Sequence, residues 1–173
     1  MQIYNLNISI TDYLAELFSK GVLTEEQATQ TAKMMYVLTD VERISTLCRD
    51  ISASIREKID KKYNFTDEAM AELEKSLAMI EKMYSDTLEV IEGGNRDNAI
   101  AILKQKERIM DLDIEMRKAH MKRVAQGKCS MSLTAPFSQV LHAIDRIGNS
   151  CVNITETVSS QIDFRYFMIE NNK

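Results

Sequence analysis

Apolar residues recur at intervals of three and four along almost the whole chain, and the residues that would interrupt a helix are nearly missing from it. A single proline and five glycines serve 173 residues. A strand repeats every second residue and a helix every 3.6, so this spacing selects helices, and the scarcity of breakers makes them long. Residues 2–20 carry Ile3, Leu6, Ile10, Leu14 and Leu17 on one face, with Gly21 placed as a C-terminal stop. Thr24-Glu25-Glu26-Gln27 has the form of a capping box. It opens a segment through Met34, Leu38, Val41, Ile44, Cys48, Ile51, Ile55 and Ile59 that is predicted to run to about Lys62. Thr66 followed by Asp67 and Glu68 suits the positive end of a third helix. Its seam, Met70, Leu73, Leu77, Ile80, Tyr84, Leu88 and Ile91, keeps nearly strict 3-4 spacing up to Gly93-Gly94. A fourth segment starts at Asn95 and carries Ile102, Ile109, Leu112 and Met116 until Gly127. A fifth opens at Thr134 with Pro136 in its first turn and carries Val140, Ile144, Ile147, Cys151, Ile154, Val158 and Ile162. Loops this short force neighbours to alternate in direction, so the fold class expected is all-α, an up-and-down antiparallel helical bundle.

Charge narrows the partners. Charged residues make up 28% of the chain with a net charge of −4 and both signs interspersed, so no basic stripe offers itself to nucleic acid. No apolar run approaches the roughly 20 residues that cross a bilayer, and the polar start is no signal peptide, so this stretch does not insert into a membrane. Cys48, Cys129 and Cys151 lack metal-ligand spacing and read as reduced core residues of a cytosolic protein. The eleven methionines, Met34, Met79 and Met116 among them, read as adaptable core filler.

The chain also repeats itself. Ile109 falls on Ile3, Leu112 on Leu6, Asp113 on Asn7, Ile114 on Ile8, Gly127 on Gly21 and Ser130 on Thr24, the last pair being a helix start in both copies. After a slip of three residues, Asp145-Arg146-Ile147-Gly148-Asn149-Ser150-Cys151 lies on Glu42-Arg43-Ile44-Ser45-Thr46-Leu47-Cys48, and Ile154 on Ile51. The predicted organisation is one bundle in which residues 1–63 are the C-terminal part of a first repeat. Residues 64–165 are then a complete three-helix repeat, and 166–173 a tail. Either the first helix of the first repeat has been lost or, the reading favoured by the abrupt start without an N-cap, it lies before Met1 in a longer parent chain.

The carboxylate-Arg-Ile cores at Glu42-Arg43-Ile44 and Asp145-Arg146-Ile147-Gly148, about a hundred residues apart, resemble the signature of the PhoU family. The family pattern is an acidic residue, three residues, then Asp. The chain is similar above all to the PhoU-like cytosolic tail of bacterial sodium/phosphate cotransporter-like membrane proteins. There a stretch like Gly21-Val22-Leu23-Thr24-Glu25-Glu26 precedes the first signature, and one like Arg117-Lys118-Ala119-His120-Met121-Lys122-Arg123 through Gly127-Lys128-Cys129 the second. The resemblance implies a non-enzymatic regulator of phosphate transport and homeostasis. Its partners would be a membrane transporter core, in the same parent chain or not, or a sensor kinase. It would be cytoplasmic, with the parent anchored in the bacterial inner membrane.

Several family members hold metal at their acidic motifs, since carboxylates at i and i+4 share one helix face and can share a cation. In this chain Glu42 is followed by Thr46 and Asp145 by Asn149, so each motif keeps one anion and one neutral group. The expectation is that Glu42 and Asp145 lie on a solvated face paired with Arg or Lys. The alternative is that Glu42, Thr46, Asp145 and Asn149 together hold a weakly bound divalent cation (Mg, Ca, Mn, Zn or Fe). Glu107 and Asp111 form a second acidic pair on a polar face. Asp113 and Arg117 suit an i,i+4 ion pair beside a packed His120, and His142 has no place in that array. Two further readings compete with the regulator. A carboxylate-bridged metal-binding helical-bundle enzyme would need Glu-x-x-His pairs, which are absent. A homodimerisation bundle would use the Met70–Ile91 seam.

Overall fold

The computed structural model describes residues 2–21, 23–60, 65–93 and 96–159. Five helices follow in order: α1 (Gln2–Ser19), α2 (Glu25–Asp60), α3 (Asp67–Ile91), α4 (Arg96–Ala125) and, after a 3-10 turn at Met131–Leu133, α5 (Thr134–Val158). Among the described residues there is no strand. The all-α bundle expected from the spacing is therefore the fold. Ile162, the tail at 166–173 and the boundary at residues 63 and 64 lie outside the described residues.

The helix ends follow from local chemistry. In the capping box the Gln27 amide nitrogen donates to Thr24 Oγ1 at 3.2 Å, and the Thr24 amide nitrogen to Gln27 Oε1 at 3.0 Å. Two backbone donors without helical partners are thereby satisfied. Thr66 Oγ1 accepts from the Ala69 amide at 3.3 Å and starts α3. Gly127, with φ of +70°, turns the chain out of α4 in a conformation that a side chain would strain. Helix α5 opens at Thr134, as expected. Ser130 caps the 3-10 turn, which runs directly into α5, and α5 has no side-chain cap of its own.

Cross-helix contacts give the direction of each pair. Asn7 reaches Leu38, so α1 runs antiparallel to α2. Glu72 and Asp86 of α3 meet Arg123 and Gln105 of α4; Lys106 and His120 of α4 meet Asp145 and Thr134 of α5. Phe65, just before α3, packs on Phe137 near the start of α5, so these two helices are parallel. Helix α5 touches α2, α3 and α4, and α1 lies against α2. The core gathers around α5, from Ile44 and Ile51 of α2 through Leu73, Ile80 and Met83 of α3 to Ile102, Ile109 and Met116 of α4.

Two expectations about faces need correction. The buried seam of α3 is Ala69, Leu73, Ser76, Ile80, Met83, Thr87 and Val90, whereas Met70, Leu88 and Ile91 are exposed. Ala69, Ser76 and Thr87 on this seam are buried although small or polar, so they do not register as apolar in a hydrophobic pattern. The seam thus packs inside the bundle. Cys48 and Met34, placed on the apolar stripe of α2, are exposed as well, because neither α1 nor α5 covers that part of its circumference.

Helices α1 and α4 are repeat-related yet differently buried. Ile109 is wholly enclosed, while Ile3, its equivalent, is about half exposed. Ile109→Ala is expected to lower unfolding free energy by about 2–5 kcal/mol, and Ile3→Ala by less than about 1 kcal/mol, in urea denaturation.

Candidate functional site

The second signature motif lies on the edge between the buried and polar faces of α5. Residues Gln139, His142, Arg146, Asn149, Asn153 and Glu156 form one exposed row along this helix, and Asp145 sits beside it, half-buried. A cation is already there. Lys106, buried on α4, donates from Nζ to Asp145 Oδ1, and Asn149 Nδ2 donates to Oδ2 at 3.3 Å. The stem of Lys106 passes over Gly148, where a Cβ would come within 3.0 Å of its Cδ. Gly148 therefore provides the channel through which the ammonium reaches the carboxylate. Any divalent cation at Asp145 would have to displace that ammonium.

The first motif is built differently. Thr46 Oγ1 donates to Glu42 Oε1 at 3.0 Å and accepts from Arg49 Nη2 at 3.1 Å, a chain running along the surface of α2. Glu42 stands at the lip of a groove of about 360 Å³ shared with Tyr4, Asn7 and Thr11 of α1. Asn7 is fixed there, donating to the Leu38 carbonyl at 3.4 Å and accepting from Thr11 Oγ1 at 3.0 Å. Glu42 thus looks onto α1 and Asp145 onto α4. Among the described residues no three His, Cys, Asp or Glu side chains converge as a metal site would require. Asp111 is exposed on α4.

A second polar cluster closes the other end of α4. The Arg123 guanidinium makes a two-pronged bond to Glu72 of α3, at 2.8 and 2.7 Å, although the partners are 51 positions apart. One turn earlier His120 is enclosed, stacked on Phe137 with ring centres 4.5 Å apart, its Nε2 3.1 Å from Thr134 Oγ1. Its Nδ1 is buried without a hydrogen-bond partner. Asp113 and Arg117 form the predicted i,i+4 pair, at 2.7 and 3.0 Å. Spacing on either helix says nothing of the Glu72–Arg123 fork, since helix rotation is set by packing. The one available signal was a charged residue, Arg123, recurring in register with the apolar stripe of α4. Cys151 is also enclosed, and burial pushes its thiol up to about 11 although the Thr87 hydroxyl bonds to it, so it stays protonated and inert.

Leu73 to Val158, which includes α4, α5 and the second signature, match the PhoU domain. The chain carries a PhoU domain. No curated protein and no solved structure matches it. The match takes in α3 from Leu73 onward together with α4 and α5, and the first signature at Glu42 lies outside it. The PhoU family is a regulatory family of phosphate homeostasis.

Two predictions follow from the buried charges of the PhoU domain. Asp145→Asn strands the Lys106 ammonium and is expected to cost about 1–3 kcal/mol in urea denaturation; adding Lys106→Met, which keeps the stem and removes the charge, restores most of the loss. The pKa of His120 is lowered from the ordinary 6.5, first by burial and then by the Arg123 guanidinium, with Glu72 opposing. The folded state therefore favours the neutral ring. The stability this confers is complete above the unfolded value, declines as pH falls below it because the unfolded chain takes the proton first, and levels off below the folded value. Denaturation midpoints measured between pH 7.5 and 5 should fall in the wild type and fall less in His120→Leu.

Proposed function

We propose that this chain is a regulatory module of phosphate transport and homeostasis that acts through contacts of its helix faces and not through catalysis. The observation that carries the reading is the PhoU domain at residues 73–158. The state of the signature motifs supports it. Asp145 is neutralised by Lys106, which ties α5 to α4, and Glu42 accepts from Thr46 of its own helix at the lip of the groove beside α1. No helix among the described residues is long and apolar enough to cross a membrane. In this reading the module works at the cytosolic face of a bacterial inner membrane, as the PhoU-like part of a sodium/phosphate cotransporter-like protein or as a separate regulator. Its partner is a transporter core or a sensor kinase.

The test is phosphate uptake in the cells that encode the chain, measured in phosphate-replete medium with the coding region intact and deleted. Deletion is expected to raise uptake, and re-expression to restore it. Unchanged uptake together with an unchanged phosphate-starvation response would sink the proposal.

A further inference from the structure

Two bases of α5 that take no part in holding the bundle together face one groove. Arg146 belongs to the second signature, but Lys106 already neutralises the adjacent Asp145. One turn away on either side α5 offers Arg146 no acid, only His142, Ala143, Asn149 and Ser150. Its repeat equivalent Arg43 is held by Asp40 of its own helix, at 3.3 Å. Arg146 and His142 both line a groove of about 410 Å³ between α2 and α5. Ile51, Ala143 and the half-buried Leu47 give the groove an apolar floor. From α2 come Asp50 and Ser54, and Asp50 has no base one turn away on its own helix. Among the described residues, none of Asp50, His142 and Arg146 makes an ion pair or a side-chain hydrogen bond. A carboxylate and two nitrogen bases therefore open onto the same groove without meeting.

We infer that this groove binds a nucleoside monophosphate. Arg146 and His142 stand one turn apart on one helix face, so a guanidinium fork and a ring N–H can reach the same phosphate group. The lone carboxylate argues against a bare anion as the whole ligand, because Asp50 repels phosphate. It suits a ligand that also brings hydroxyl donors, and a ribose diol is such a group. Size points the same way. Small-molecule sites run from roughly 300 to 1,000 Å³, and the groove falls in that range, with room far beyond one phosphate ion. The apolar floor takes the flat face of a base, while the Gln139 amide and the Ser54 hydroxyl, each both donor and acceptor, are available to its polar edge. The inference rests on the groove and not on the phosphate-homeostasis reading, so either can fail alone.

The test is calorimetric titration of the full chain with AMP, GMP, CMP and UMP, and with adenosine, ribose 5-phosphate and inorganic phosphate for comparison. At least one of the four nucleotides is expected to bind with one molecule per chain, more tightly than any of the three fragments. Arg146→Gln should weaken that binding about tenfold or more, since it removes a charged fork from the phosphate. Asp50→Asn should weaken the nucleotide while leaving inorganic phosphate no weaker, which separates the hydroxyl contact from the anion contact. Both side chains are exposed, so the circular dichroism of either variant should stay that of the wild type. Failure of all four nucleotides to bind at millimolar concentration would overturn the inference. So would binding that Arg146→Gln leaves unchanged, or inorganic phosphate or ribose 5-phosphate binding as tightly as the nucleotides.

Discussion

Burial of α5 on two of its three rows is the constraint around which the other helices are arranged. Pro136, Val140, Ala143, Ile147, Ser150 and Ile154 form one row, and Phe137, Leu141, Ile144, Gly148, Cys151 and Thr155 the next. A helix with so wide an apolar arc cannot be covered by one neighbour. It needs α2 on one side and the α3–α4 pair on the other. Burial of the larger of these side chains is worth about 1.5–3 kcal/mol each against exposure, which gives the arc more weight than any single ion pair in the bundle. Ala143, Gly148 and Ser150 keep the helix narrow where α2, α3 and α4 approach it.

The parts of the fold that were legible in the sequence are those governed by near neighbours. Thr24 with Gln27, Thr66, Gly21 and Gly127 act within one turn of themselves, so the helix limits could be read from them to within a residue or two. Faces were less legible. The α3 stripe lies about one position from the one its apolar spacing predicts, because Ala69, Ser76 and Thr87 are small or polar and yet buried. The contacts of the signature residues were least legible of all. Asp145 could be assigned to the polar edge of α5, but Lys106 meets it only because α4 is rotated to aim a long side chain inward.

Repeat-related positions show that burial belongs to the assembly as much as to the residue. His120 and Arg123 lie deep in the second unit, and each polar head is given something to hold, Thr134 and Glu72 respectively. At the same two positions α1 carries Leu14 and Leu17, which need no such partners. A helix that buries a guanidinium is committed to a particular neighbour, because removing Glu72 would leave an uncompensated charge. A helix with leucines there is not committed in this way. The α4 face is therefore selective toward α3, whereas the α1 face is defined by shape and apolarity alone.

The same reasoning accounts for the altered signature motifs. Two carboxylates one turn apart carry two negative charges that repel each other, and a divalent cation is the natural counter-charge. Replacing the second carboxylate by Asn149 halves that charge. A monovalent ammonium then suffices, and Lys106 delivers one on a stem that fills the space above Gly148. Lys106 and Asn149 are matched in charge around Asp145. With a second carboxylate at 149 the single ammonium would leave a negative charge unbalanced at the edge of the core, and with no lysine at 106 Asp145 would lose its partner from α4. A covalently tethered cation cannot dissociate or be exchanged, so this tie between α4 and α5 does not depend on metal supply. In the first unit the same loss, at Thr46, is met by the Arg49 guanidinium acting through the Thr46 hydroxyl, a more exposed and weaker arrangement.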